Sequence, residues 1–150
     1  MSDRIVEQVS EMLTISRRHV NEMCAVACQA APFECCGLLG GSNARARTLY
    51  PLRNVARQPL VGYEAATEDL FAAQRQMRAR AEQLLAIYHS HPRAIDPVPS
   101  ATDVRMAFYP SAIYFIIGLG GTSPIINAFR VFEAEHQWER VNYAVADDNE

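Results

Sequence analysis

The stretch Tyr88-His89-Ser90-His91-Pro92 is followed, after a loop, by Pro99-Ser100-Ala101-Thr102-Asp103. Side chains two apart on a strand project to the same face, so His89 and His91 can offer imidazole nitrogens to one point, with Ser90 turned away. If the intervening loop, with Pro92, Pro97 and Pro99, folds back, Asp103 on the first turn of a following helix brings a carboxylate oxygen to that point. Two imidazoles, a carboxylate and an open fourth position distinguish a catalytic zinc from a closed structural one. Hydrolysis at such a centre also needs a carboxylate that moves protons between water and the leaving amine. Glu34, between Pro32-Phe33 and the apolar run Cys35-Cys36-Gly37-Leu38-Leu39-Gly40, is the candidate.

Each part also has a plainer explanation. Ser-x-x-Asp ahead of an amphipathic segment is a helix capping box. Two strand histidines are commonly surface or satisfied core residues, and a glutamate beside an apolar run is commonly exposed. Their occurrence together on either side of a proline-stiffened loop is less easily accidental, and a capping aspartate can still turn one oxygen to a metal. Other zinc motifs fail: there is no His-Glu-x-x-His and no Pro-Cys-x-x-Cys beside a His-x-Glu. Cys24 and Cys28 share a helical face and read as packing residues. Cys35 and Cys36 alternate across a strand, cannot both face one ion, and so include at least one core residue. His19 and His136 have no partner in sequence and no assigned role.

The elements that must carry these residues follow from periodicity. Val20, Met23, Cys24, Ala27 and Ala31 give the spacing of a one-sided helix over 17–31, with Ser16 as its N-cap. A buried strand over 35–40 and a second near 47–52 flank a turn at Ser42-Asn43. Leu70, Ala73, Met77 and Ala81 predict a second helix over 67–83, capped by Thr67 and with Glu68 and Asp69 suited to its N-terminus. Strands are expected over 84–90, 112–119, 125–132 and 138–143. The pattern predicts an α/β fold, α+β on a stricter definition, with a mixed central sheet flanked by helices. One domain over 1–146 is expected, with 147–150 as a disordered acidic tail of no role.

A chain of 150 residues, 49% of them apolar, can bury one good core. The net charge of −3 and scattered basic residues exclude a phosphate-neutralising stripe, so nucleic acid is not an expected partner. Asp3, Arg4, Glu7, Glu11, Arg17 and Arg18 are incompatible with a secretory signal, and the apolar run 112–119 is too short for a membrane span. A soluble cytoplasmic protein with its four cysteines reduced is the expectation. The sequence leaves the oligomeric state open.

Glu34 ahead of Cys35-Cys36-Gly37-Leu38-Leu39-Gly40, then His89-Ser90-His91-Pro92, then Ser100-Ala101-Thr102-Asp103, resembles in type and order the JAMM (MPN+) metallopeptidases. The resemblance runs from about Leu13 to Tyr143 and implies a cytidine-deaminase-like JAMM/MPN domain of the compact bacterial type. It implies one zinc per chain on His89, His91 and Asp103, Glu34 as general acid/base, and Ser100 as hydrogen-bond donor to the oxyanion. Eight residues separate His91 from Ser100, one more than the family pattern, which bears on the loop's conformation more than on the ligands. The implied reaction is cleavage of an amide bond at the C-terminal glycine of a ubiquitin-like sulfur-carrier protein ending in Gly-Gly. The alternatives are a metal-free MPN-type interaction module and a zinc peptidase of short peptides.

Overall fold

The computed structural model describes residues 12–148, so the charged positions Asp3, Arg4, Glu7 and Glu11 lie outside the described residues. A mixed eight-stranded sheet forms the centre. In chain order the elements are β1 (Leu13–Ser16), α1 (Arg17–Ala30), β2 (Cys36–Ser42), β3 (Arg45–Leu52), α2 (Thr67–Ala79), β4 (Gln83–His91), α3 (Ala101–Arg105), β5 (Ile113–Gly118), β6 (Ile125–Phe132), a 3-10 turn (Glu133–Glu135), β7 (Gln137–Val141) and β8 (Tyr143–Ala146). Across the sheet the order is β7-β6-β5-β4-β2-β3-β1-β8. The α+β architecture expected from the sequence, a mixed central sheet with flanking helices, is the one observed.

Strand alternation divides the core in two. Leu39, Ala86, Tyr88, Phe115 and Ile117 point to the face that also buries Met23 and Ala27 of α1. Leu38, Ile87, Tyr114 and Ile116 point to the opposite face, against Ala73 and Met77 of α2 and Val104 of α3. Burying each large apolar side chain contributes roughly 1.5–3 kcal/mol, so both faces need their helices. The period of two puts His89 and His91 on the same face as Ile87, and Glu34 on the same face as Cys36 and Leu38. The β2–β4 pairing then sets Cys36 opposite His89 and Gly37 opposite Tyr88. The Tyr88 ring lies across the β2 backbone: a Cβ at position 37 would stand 2.2 Å from its Cζ.

Ser16 caps α1 as expected, accepting the His19 N–H at 3.1 Å, and the buried His19 ring meets the same hydroxyl at 3.0 Å. The turn between β2 and β3 falls at Asn43 and Ala44, both with positive φ, which suits a tight hairpin. Several expectations are corrected. Thr67 is the first residue of α2 rather than its cap; the N-cap is Ala66, without a side-chain bond. That helix ends at Ala79, four residues early, because Gln83 already belongs to β4. β1 and β8 are additional strands whose parallel pairing with each other is non-local and leaves no period to read in four residues. Asp148 is not idle, since its Oδ1 accepts the Arg18 N–H at 2.8 Å, satisfying a first-turn donor of α1 that the Ser16 cap does not reach. Cys28 is exposed and Cys24 only half-buried, so neither is the packing residue expected; Cys35 and Cys36 are both buried. No helix among the described residues is long and apolar enough to cross a membrane.

Candidate metal centre

β4 delivers the two histidines and α3 the aspartate. His89 is buried in mid-sheet while His91 sits at the strand's last residue, half-buried. The loop after it is tied down: Pro97 is fully buried, and Asn127 of β6 donates to Asp96 Oδ1 at 2.7 Å and to the Pro97 carbonyl at 2.9 Å. Gly120 N–H donates to the Ala94 carbonyl at 2.8 Å. The eight-residue connection therefore folds back, and its extra residue does not keep the three side chains apart.

Ser100 and Asp103 form the capping box as a sequence signature and contribute to the cluster as well. Ser100 Oγ accepts the Asp103 N–H at 3.0 Å, and Asp103 Oδ2 accepts the Ser100 N–H at 2.9 Å. The same Oδ2 lies 3.0 Å from His91 Nε2 and 3.1 Å from His89 Nε2, and the two imidazole nitrogens are 3.1 Å apart. A triangle with three such edges is poorly served by hydrogen bonds: if both imidazoles donate to the carboxylate, two N–H groups face each other. Donor atoms around a tetrahedral ion with bonds of about 2.0–2.1 Å stand about 3.3 Å apart, close to the spacing seen. One imidazole nitrogen deep in the sheet, one at its edge and one carboxylate oxygen thus fit a zinc ion.

Glu34 stands at the mouth of β2 and is only 6% exposed, so the plain expectation of a solvated glutamate fails. Its carboxylate and the nitrogens of His89 and His91 lie within 4.8 Å of one another, a group that could itself hold a metal. Burial pushes the Glu34 carboxyl up to about 7, partly opposed by His91 and reinforced by the Asp103 charge. Burial would also raise Asp103, but hydrogen bonds from both histidines and the Ser100 N–H hold it far below the usual carboxylate range. Burial lowers the His91 imidazole, yet the Asp103 hydrogen bond and charge, with the Glu34 charge, leave it raised.

Two contributors were not anticipated from sequence. Tyr63 stacks on His89, with ring centroids 4.6 Å apart and planes inclined by 28°. Ser90, turned away from the centre as expected, accepts the Cys35 N–H on Oγ at 2.8 Å, and its own N–H donates to the Cys35 carbonyl at 3.2 Å. A buried serine between the two histidines thus ties the residue after Glu34 to the strand that carries both imidazoles. A cleft of about 280 Å³ opens beside Asp103, with Tyr63, Gly37, Leu38 and Met106 in its walls.

Residues 16–132 match the family described as prokaryotic homologs of the JAB domain. The chain is 40% identical over 92 residues to the desampylase of Haloferax volcanii, a stretch covering 60% of this chain and 66% of that relative. It is 34% identical over 108 residues to the CysO-cysteine peptidase of Mycobacterium tuberculosis, covering 71% of this chain and 73% of the other. Among solved structures, a protein from Desulfitobacterium hafniense superposes with a TM-score of 0.80 at 31% identity, over 91% of this chain and 94% of its own. The fold is shared with a structure described as a JAMM metalloprotease-like zinc site in the proteasome and signalosome, at a TM-score of 0.55, 16% identity and coverage of 91% and 99%.

Proposed function

Because the chain belongs to the prokaryotic JAB-domain family of metallopeptidases, we propose that its zinc, one per chain, is held by His89, His91 and Asp103, with Glu34 as general acid/base. The observation that carries this reading is the triangle of two imidazole nitrogens and one carboxylate oxygen with 3.0–3.1 Å edges, faced by a buried glutamate. When bound, zinc supplies Lewis acidity. Glu34 takes a proton from the attacking water and returns it to the leaving amine, a task suited to a carboxyl lifted toward neutrality. Ser100 accepts the Asp103 N–H on its oxygen, which leaves its own O–H to donate to the developing oxyanion. Asp103 would serve as an ionised ligand, its Oδ2 also accepting the Ser100 N–H at 2.9 Å.

For substrate we propose a small ubiquitin-like carrier protein, cleaved after its C-terminal Gly-Gly; the relatives named desampylase and CysO-cysteine peptidase support a carrier-protein partner. An extended glycine tail, free of side chains, suits the cleft beside Asp103. The test combines metal analysis with cleavage of a sulfur-carrier protein extended by one cysteine beyond Gly-Gly. Wild type and Glu34→Gln should each carry about one zinc, and only wild type should release cysteine. Normal cleavage by Glu34→Gln removes Glu34 from the mechanism.

A further inference from the structure

Between β3 and α2 the chain has no regular structure apart from a bridge between Asn54 and Ala65, so its backbone groups need individual partners. Asn54 provides for three of them and for one group outside the loop. Its Oδ1 accepts the N–H groups of Ala56 and Glu64, each at 3.0 Å, while Nδ2 donates to the carbonyls of Gly62 at 3.1 Å and Glu34 at 2.9 Å. The amide fits only this way round, since a flip would oppose donor to donor twice and acceptor to acceptor twice.

Three of these partners belong to the loop itself and account for an asparagine that folds it. The fourth is the residue whose carboxylate faces the histidines. The loop holds the other polar group of that residue too, because the Glu34 N–H donates to the Pro59 carbonyl at 2.8 Å. With Ser90 engaging both main-chain groups of Cys35, all four backbone polar groups of Glu34 and Cys35 are fixed. The carboxylate can then move only through its own side-chain torsions. Tyr63, stacked on His89, rides on the same loop.

We propose that Asn54 is a positioning residue for the acid/base: through the Glu34 carbonyl it sets how far that carboxylate reaches into the metal centre. This rests on the reading of Glu34 given above. Asn54→Asp keeps the acceptor for Ala56 and Glu64 but sets an oxygen against the carbonyls of Glu34 and Gly62; Asn54→Ala removes both functions. With the cysteine-extended carrier as probe, kcat should fall about 10- to 100-fold, the scale of a small misplacement of a reacting group. KM and zinc content should stay near wild type. In a Glu34→Gln background the same substitutions should leave the residual rate almost unchanged, since the group they displace is gone. Wild-type kcat in the Asn54 variants, an equal loss in the Glu34→Gln background, or a rise in KM alone would each overturn the proposal. Full activity of Glu34→Gln by itself is a different result and overturns only the assignment of Glu34. Should both variants be too unstable to purify, Asn54→Ser, with one short donor and acceptor, reads the same comparison.

Discussion

The two halves of the centre are built in opposite ways. The half proposed to supply the ligands rests on regular structure: a mid-sheet strand carries both histidines at period two, and a helix cap carries the aspartate. The half proposed to supply the acid/base rests on irregular structure, with Glu34 just ahead of β2, its backbone held by a loop and that of Cys35 by Ser90. Each half suits its task. Ligands must converge before an ion arrives, which a strand and a cap ensure. A proton carrier must instead swing between water and amine, so what needs fixing is its backbone.

The comparison breaks most decisively through Asp103→Ala, which removes one of the three proposed ligands and the capping carboxylate together. Zinc affinity should fall by more than about 100-fold, beyond the loss typical of residues that merely support a ligand. Cleavage should vanish with it, as equilibrium binding and a carrier assay would record. If zinc stays tight, the ligand set is wrong. Ser100→Ala should keep zinc yet lower kcat by about 10²- to 10³-fold, the usual effect of an oxyanion donor. It should also cost about 1 kcal/mol of cap, read as a melting point lower by about 2–4 °C. Unchanged kcat with lowered melting would leave Ser100 as a cap alone.

On the acid/base side, Ser90→Ala strands the buried Cys35 N–H, at about 1–3 kcal/mol. Calorimetry should detect that loss while metal analysis finds zinc retained; loss of zinc would show the halves to be one unit. A subtler contrast uses chelated protein. Burial lifts the folded Glu34 carboxyl to about 7, above its unfolded value near 4.5. The fold is therefore favoured by this group below pH 4.5 and loses that advantage as pH rises through 7. Glu34→Gln should raise the melting temperature of chelated protein at pH 8 more than at pH 5, and an equal change at both would refute the buried, lifted carboxyl. Smallest of all, Cys28→Ser, on an exposed helical position, should shift stability by less than about 0.5 kcal/mol and leave zinc content unaltered.

This division also explains what could be read in advance. His89, His91 and Asp103 announce themselves because strand periodicity and the Ser-x-x-Asp cap are local rules that survive in the fold. Parity could have gone further, since Glu34, Cys36 and Leu38 share a face with Ile87, His89 and His91 once β2 pairs with β4. Tyr63 and Asn54 carry no such mark; an asparagine among Arg53, Val55 and Ala56 looks like any loop residue until its four partners arrive from 34, 56, 62 and 64. The β1–β8 pair was hidden for the same reason, its partners lying at opposite ends of the described chain. The Thr67 expectation failed because the residue is a plausible cap by type, whereas Asp69 instead accepts the Arg53 N–H at 2.8 Å and the helix begins one residue earlier than a capping threonine would allow.

The aromatic ring that lies over the glycine of β2 constrains how this chain can evolve. A methyl group at position 37 has no room while Tyr88 is present, and shrinking Tyr88 alone would hollow out the α1-side core, on the sheet face opposite the first imidazole. Either change is harmful by itself and tolerable only with the other, so lineages should cross that gap rarely and in both positions at once. The strand that carries both imidazoles is thereby guarded by a pair at its back, on the other face of the sheet.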